Sequence, residues 1–314
     1  MVSNKRKLKL YAIGHGHIDP TWLWRWTEGY EEVRATFRSA LDRMNESDTF
    51  IFSAGSACFY QWVKEVDTEL FEAIRARVKE GRWEIVGGFW VEPDCNIPCG
   101  EAFVRHVLYS QRFFECEFGK RVKVGFNPDS FGHAGTLPQI LKKAGIEYYV
   151  FMRPEPEREM KYPNGTVFWW ESKDGSRLLA ANIPLDYCTG GLGIRKKVEL
   201  LQQYPFLMEE QQDILCFYGV SNHGGGPTCE SIKEIQRIQQ ENSPSDIVEF
   251  SSMENFFLRF SENMDGKDIS VIQNELQHHA RGCYSAHSEI KRMNRQTEHA
   301  LMNAERFATI AWLM

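Results

Sequence analysis

The sequence predicts an α/β protein whose sheet is mostly parallel. Short apolar runs rich in β-branched and aromatic residues alternate with stretches of helical periodicity through the first half of the chain. Residues typical of turns separate these runs. With 314 residues, the chain is long enough for one large domain of this class, or for one domain and the start of another.

Strands and helices are expected to alternate up to residue 151. Apolar runs predict strands over 8–13, 50–53, 83–90, 122–126 and 148–151. Helical spacing of apolar residues predicts helices over 28–44, 70–78, 100–118 and 137–144. Gly81 is expected to end the second of these helices. Because parallel strands need crossover connections, this order favours a parallel sheet with helices outside it.

A β-hairpin is expected to interrupt the alternation, which then resumes. Its strands, 168–171 and 177–182, flank the turn sequence Lys173-Asp174-Gly175-Ser176. The later predicted strands are 214–220, 247–250 and a short one near Val271, with a helix over 231–240.

The last predicted helix covers residues 290–314 and changes the pattern. Its apolar face comprises Ala300, Leu301, Ala304, Phe307, Ala308 and Ala311. This face continues to Met314 without a capping signal, and such a face must pack on something. We therefore predict a catalytic α/β domain over 1–276. Over 277–314 we predict a metal-ligand loop and the first helix of a truncated helical domain.

Composition narrows the functional classes. The formal net charge is −6 and no long basic run is present, so neither a nucleic acid nor a membrane surface is an expected partner. The N-terminus lacks the apolar stretch of a signal peptide, and no apolar run reaches transmembrane length. The 8 cysteines are scattered without a CxxC pair, which favours reduced thiols and a cytoplasmic location. A homo-oligomer of the full-length protein is compatible with these features.

The first candidate site residues belong to HGHIDP at 15–20, directly after the first predicted strand. Loops at the carboxyl ends of parallel strands build the active sites of α/β folds. His17 and Asp19 are two positions apart, so in an extended segment both side chains point to the same side and could reach one metal ion. The alternative is a helix-capping aspartate with two incidental histidines.

Two further groups follow later strands. Asp129 lies in NPDSFGH at 127–133, where a turn or a helix cap is the alternative. His278 and His279 follow the strand near Val271. Because adjacent side chains point to opposite sides of an extended chain, we expect one of the two to be a ligand. Two surface histidines are the alternative.

Two imidazoles and two carboxylates suit zinc or a similar divalent ion, and they leave room for a substrate oxygen. That set comprises His17, Asp19, Asp129 and His279.

Two other segments could line a substrate site. GVSNHGGGPT at 219–228 has glycines that let the backbone approach a ligand, although it lacks the Lys of a phosphate loop. A flexible loop is the alternative. GGFWVEPDCN at 87–96 places Glu92 and Asp94 beside aromatic residues, as in a sugar subsite, with structural capping as the alternative for either acid.

In this order, the motifs resemble glycoside hydrolase family 38, the α-mannosidases. The resemblance rests on HGHIDPTWLWRW at 15–26 and on the segments at 87–96, 127–133, 219–228 and 278–279, and it covers nearly the whole chain. It implies a seven-stranded (β/α) barrel-like catalytic domain, mostly parallel, followed by a helical bundle domain and a β-rich region.

The resemblance also implies a mechanism. One zinc ion per catalytic domain would be bound by His17, Asp19, Asp129 and His279. Asp129 would also be the nucleophile in retaining hydrolysis of an α-mannoside oligosaccharide, through a covalent mannosyl-aspartate intermediate. The expected substrate-binding residues are Trp22, Trp90 and Asn222.

The acid/base is the point of departure from the family pattern. Many members carry an aspartate in the Gly-rich loop, where this chain has Asn222, which cannot donate as an acid. His223 and Asp94 are the leading candidates for this role, with Glu92 behind them.

Two alternatives to a mannosidase remain open at this level. A metal-dependent carbohydrate deacetylase or amide hydrolase would use similar ligands with a zinc-bound water as nucleophile. A sugar-binding module with a structural metal would bind mannose without turnover.

Overall fold

The computed structural model describes residues 8–155, 165–208, 211–220, 223–241, 248–277 and 282–314. Within these ranges, the α/β class and the largely parallel pairing of the strands are as predicted. The strands are β1 (Lys9–Gly14), β2 (Phe52–Ala54), β3 (Trp83–Ile85), β4 (Val124–Asn127), β5 (Tyr148–Phe151), β6 (Val167–Glu171), β7 (Arg177–Asn182), β8 (Asp213–Tyr218), β9 (Val248–Phe250) and β10 (Val271–Ile272). The helices are α1 (Trp26–Glu46), α2 (Ala57–Val66), α3 (Thr68–Lys79), α4 (Gly100–Phe118), α5 (Leu137–Lys143), α6 (Ile194–Leu201), α7 (Cys229–Glu241), α8 (Met253–Asn263), α9 (Gly282–Ser285) and α10 (Ser288–Leu313).

The described strands form two five-stranded sheets. In the first, the order is β3-β2-β1-β8, with β9 also paired to β1, and every pair is parallel. In the second, the order is β10-β6-β7-β5-β4, and only the predicted hairpin β6–β7 is antiparallel. The Gly87 N–H donates to the Val124 carbonyl, which links the segment after β3 to β4. Closure of seven strands into one barrel stays a prediction.

Both faces of the central strands are buried, each in a different apolar cluster. In β1, Leu10 and Ala12 belong to the cluster shared with α1, α2 and α3, whereas Tyr11 and Ile13 belong to the cluster that α8 covers. The same alternation occurs in β8. Burial on both faces explains why these strands read as continuous apolar runs in the sequence.

Several helices begin or end at residues suited to that position. The Asp67 side chain accepts from the Leu70 N–H at the start of α3, and Ser252 accepts from Asn255 N–H at the start of α8. Gly119 ends α4 in the left-handed conformation, with φ of 65°.

The structure differs from the sequence prediction in several places. The helices α2, α6, α8 and α9 are absent from the prediction. The strand predicted over 83–90 ends at Ile85, because Gly87 and Gly88 adopt φ of 89° and 69°, which a strand does not allow.

The last helix, α10, lies against the start of α4. Glu298 Oε1 accepts from the Cys99 N–H at 2.9 Å, and Arg105 pairs with Glu305. Much of its apolar face is exposed, including Phe307 at 71% and Trp312 at 83%. The division at residue 276 and the assignment of α10 to a helical bundle stay predictions. Among the helices of the described chain, none combines the length and apolarity that a membrane span requires.

Candidate active site

Three of the four predicted metal ligands converge at the carboxyl ends of two strands. His17 and Asp19 follow β1, and Asp129 follows β4. His17 Nε2 lies 3.4 Å from Asp19 Oδ1 and 3.8 Å from Asp129 Oδ2. One potential ligand atom from each residue lies within 4.8 Å of the other two, which is close enough for the three to share one ion.

The electrostatics of this cluster favour a cation. His17 Nε2 is buried and faces the oxygens of Asp19 and Asp129. Burial opposes the charged form of His17, but Glu92, Asp19 and Asp129 outweigh it and raise its pKa to about 9. Burial also opposes the charged form of Asp19, and His17 and His223 together lower its pKa. An imidazole and two carboxylates around a shared space fit a zinc ion.

Two residues that sequence reasoning missed hold the Asp129 carboxylate. Arg153 Nη1 donates to Asp129 Oδ1, and the Tyr187 hydroxyl donates to the same oxygen at 3.2 Å. Arg153 follows β5 and Tyr187 follows β7, so both lie after the carboxyl end of a strand, as His17 and Asp129 do. Position after a strand points to the segments that carry them, but neither residue stands in a motif with other polar residues, so the sequence does not single them out.

Glu92 lies behind the cluster, on the side of His17 away from Asp19. Its Oε2 is 3.3 Å from His17 Nδ1, and its Oε1 accepts from the Asp129 backbone N–H at 2.9 Å. Burial raises the pKa of Glu92 to about 7, with His17 acting in the opposite direction. Glu92 therefore contacts two of the predicted ligands, His17 and Asp129.

His223 and Trp22 lie together at the mouth of the cluster. His223 Nδ1 is 3.4 Å from Asp19 Oδ2, and the imidazole stacks on Trp22 with ring centroids 4.1 Å apart. Trp22 is 52% exposed, and Trp24 Nε1 donates to the Asp19 carbonyl at 3.0 Å. An exposed aromatic face beside a histidine and a carboxylate is an arrangement that can bind a sugar ring.

The glycines of the 219–228 segment permit close backbone packing. A Cβ on Gly219 would lie 1.9 Å from the His15 carbonyl oxygen, and one on Gly16 would lie 2.9 Å from Gly226 N. The Gly-rich segment therefore lies directly against the loop that carries His17. This contact between two backbones accounts for Gly219 and Gly16 without a ligand approaching them.

Two of the predicted site residues lie elsewhere. Asp94 is exposed, and its Oδ1 accepts from the backbone N–H groups of Asn96 and Ile97. Asp94 therefore caps a turn, as the alternative interpretation of this residue predicts. Trp90 packs on Phe113, with ring centroids 6.2 Å apart, at the edge of the core. Neither has a described contact with His17, Asp19 or Asp129.

The remaining predictions lie outside the described residues. They concern Asn222 as a sugar contact and His279, with His278 as its alternative, as the fourth ligand. Their roles stay predictions.

The described cluster can perform nucleophilic chemistry on a bound ligand. Asp129 is a carboxylate whose one oxygen is held by Arg153 and Tyr187, while the other faces the space shared with His17 and Asp19. A carboxylate held in this way beside a cation site is suited to attack an electrophilic carbon.

Comparison with known proteins identifies the family. A family model described as "Glycosyl hydrolases family 38 N-terminal domain" matches residues 7–278. Alpha-mannosidase G of Dictyostelium discoideum is 33% identical over 298 residues, which cover 94% of this chain and 27% of that protein. Alpha-mannosidase 2C1 of Homo sapiens is 31% identical over 305 residues, which cover 96% of this chain and 29% of that protein.

A solved structure agrees with this result at the level of the fold. The crystal structure of an alpha-mannosidase from Enterococcus faecalis V583 superimposes with a TM-score of 0.72 at 20% identity, over 86% of this chain and 31% of that one. The chain thus spans less than a third of the length of these relatives. The extent of the family match and the identity to the two relatives together establish that the chain belongs to glycosyl hydrolase family 38.

Proposed function

We propose that the chain carries the catalytic site for retaining hydrolysis of α-mannosides. The observation that carries this proposal is the convergence of His17, Asp19 and Asp129, whose ligand atoms lie within 4.8 Å of one another, in a chain of family 38. The relatives that match over nearly the whole chain are named α-mannosidases, which supports a mannoside as substrate.

The metal of the proposal is one zinc ion held by His17, Asp19, Asp129 and His279. The first three would supply an imidazole nitrogen and two carboxylates, and His279 would complete a four-ligand set. When bound, zinc supplies Lewis-acid contacts to sugar hydroxyls and favours distortion of the ring.

Asp129 is the nucleophile of the proposal. One of its oxygens attacks the anomeric carbon, the glycosidic C–O bond breaks, and the departing oxygen takes a proton from the general acid. Water then attacks the anomeric carbon of the mannosyl ester, gives its proton to the same residue and frees Asp129. The Arg153 guanidinium pairs with Asp129 Oδ1, which holds the carboxylate in place for this role.

His223 is the acid/base of the proposal. It borders the metal cluster through Asp19, whereas the Asp94 carboxylate is engaged by backbone N–H groups of its own turn. An imidazole can both donate and accept a proton near neutral pH. Trp22, which stacks on His223, is the proposed platform for the sugar, with Asn222 as the other predicted contact.

The fold that would hold this site is a barrel-like arrangement of seven parallel strands, β1 to β5, β7 and β8. The hydrogen bond from Gly87 to Val124 after β3, and that from Thr189 to Gly219 after β7 and β8, support this arrangement.

Metal content and mannosidase activity test the proposal directly. The purified chain is expected to contain one equivalent of zinc and to hydrolyse an aryl α-mannoside. Asp129→Ala should reduce kcat by about a thousandfold or more, because it removes both the nucleophile and a ligand. Asp42→Ala, a change at an exposed acid of α1, is the matched control. Full activity in Asp129→Ala would refute the nucleophile assignment.

A trapped intermediate separates the proposal from its rivals. A fluorinated mannoside should leave a covalent mannosyl adduct on the peptide that contains Asp129, detected by mass spectrometry. A deacetylase would release acetate and form no adduct. A binding module would retain mannose without turnover and would be insensitive to Asp129→Asn.

We also propose a reducing, cytoplasmic location. All eight cysteines are free in the structure, and Cys58, Cys95 and Cys216 are buried without a partner cysteine. Titration of thiols in denaturant without reductant should give eight per chain. A lower number would contradict this proposal.

A further inference from the structure

The two ring nitrogens of His17 face different partners. Nε2 lies toward the oxygens of Asp19 and Asp129, at 3.4 Å and 3.8 Å. Nδ1 lies 3.3 Å from Glu92 Oε2, on the other edge of the ring. The His17 side chain is only 6% exposed, so water has little access to either nitrogen. The orientation of the ring is therefore set by the protein groups on its two edges.

Glu92 also holds the backbone of the second ligand. While Oε2 faces His17, Oε1 accepts from the Asp129 N–H at 2.9 Å. The Glu92 backbone N–H in turn donates to Ser56 Oγ at 3.2 Å, which fixes the segment that carries Glu92. One carboxylate thus joins a ligand that follows β1 to a ligand that follows β4.

Metal-binding histidines generally donate their second N–H to a carboxylate or a carbonyl. Such a partner fixes the tautomer and the ring orientation and makes the ligating nitrogen more basic. In a metal-bound state, His17 Nδ1 would bear the hydrogen toward Glu92, and Nε2 would offer its lone pair to the ion that it shares with Asp19 and Asp129.

We propose that Glu92 is a positioning residue for the metal site, which orients His17 through Nδ1 and Asp129 through its backbone N–H. This inference rests on the zinc site proposed above. In this role Glu92 is not the general acid/base, because one of its oxygens faces His17 and the other accepts from the Asp129 N–H.

Zinc affinity tests the inference, with the whole chain as the sample. Competition against a chromophoric chelator gives the zinc Kd of the wild type, of Glu92→Gln and of Glu147→Gln, a control at an exposed glutamate before β5. Glu92→Gln is expected to weaken zinc binding by about 10- to 100-fold, and the control to leave it unchanged. Substitution of zinc by Co²⁺ should also shift the visible absorption bands of Glu92→Gln, because the ligand field at His17 changes.

Activity at saturating zinc separates positioning from acid/base catalysis. A positioning role predicts that excess zinc restores most of the kcat of Glu92→Gln, whereas loss of an acid/base would not be restored. If Glu92→Gln does not fold, Glu92→Asp keeps the charge on a shorter side chain. Its zinc binding should be weaker than that of the wild type, but by less than is expected for Glu92→Gln.

The outcomes are distinct. Wild-type zinc affinity in Glu92→Gln, or in Glu92→Asp if only that variant folds, would overturn the inference and leave the proposed function intact. Failure of the wild-type chain to bind zinc would overturn both. Weakened binding with restored kcat supports both.

Discussion

The Tyr187 hydroxyl offers a clean test of how Asp129 is held. Tyr187 is 3% exposed and donates to Asp129 Oδ1 at 3.2 Å, while its ring lies 5.2 Å from that of His17. Tyr187→Phe removes the hydroxyl and keeps the ring, so packing against His17 should persist. The change therefore isolates one hydrogen bond to the proposed nucleophile.

The expected magnitude follows from the geometry of this bond. A hydrogen bond to a charged group contributes about 1.5–3 kcal/mol, and 3.2 Å is longer than the usual O–H···O distance, which favours the lower end of that range. About 1.5 kcal/mol corresponds to roughly a tenfold decrease in kcat/KM. Zinc content should not change, because Arg153 still holds the same oxygen.

The assay is steady-state hydrolysis of an aryl α-mannoside by the zinc-loaded chain. Tyr148→Phe is the control, because Tyr148 stacks on Phe257 at the opposite end of β5 from Arg153. If Tyr187→Phe kept kcat/KM within about twofold of the wild type, the hydroxyl would not be what holds Asp129 in its reactive position.

Three other predictions concern the scaffold. Gly219→Ala should destabilise the chain by about 2 kcal/mol or more, because its Cβ would lie 1.9 Å from the His15 carbonyl; Gly100→Ala, whose Cβ meets no described heavy atom within 4 Å, should differ little from the wild type in urea unfolding. Phe52→Ala should lower the free energy of unfolding by about 3–5 kcal/mol, because the Phe52 ring is fully buried with its centroid 4.9 Å from that of Trp83. Val66→Ala, at an exposed position, is the control, and a similar urea midpoint for the two variants would contradict the packing argument. Burial lowers the pKa of His106 below 6.5, so the unfolded chain protonates His106 at a higher pH than the folded chain does, and the free energy of unfolding falls as the pH falls through 6.5. His106→Gln should reduce the difference between the free energies of unfolding measured at about pH 7.5 and at about pH 5. An equal difference in the variant and the wild type would show that His106 does not cause this loss of stability.

Local pattern was sufficient for most of the secondary structure. Where apolar residues recur at one clear period, as in α1, α4 and β8, the predicted elements agree with the structure to within a few residues. Where a helix is short or a glycine pair intervenes, as in α6 or at Gly87, the period is too brief to identify, and the contacts of the folded chain decide the conformation.

The sequence by itself determined the family and the three motif residues that converge, because each follows a predicted strand and strand ends of a parallel sheet meet at one edge. Only the tertiary structure decided which other side chains reach them. Arg153 and Tyr187 carry no motif, and Glu92 and Asp94 are two positions apart in one segment, yet one contacts His17 and the other caps a turn. The physical reason is that a hydrogen bond of 3 Å depends on the packing of loops from separate strands, which no spacing along the chain encodes.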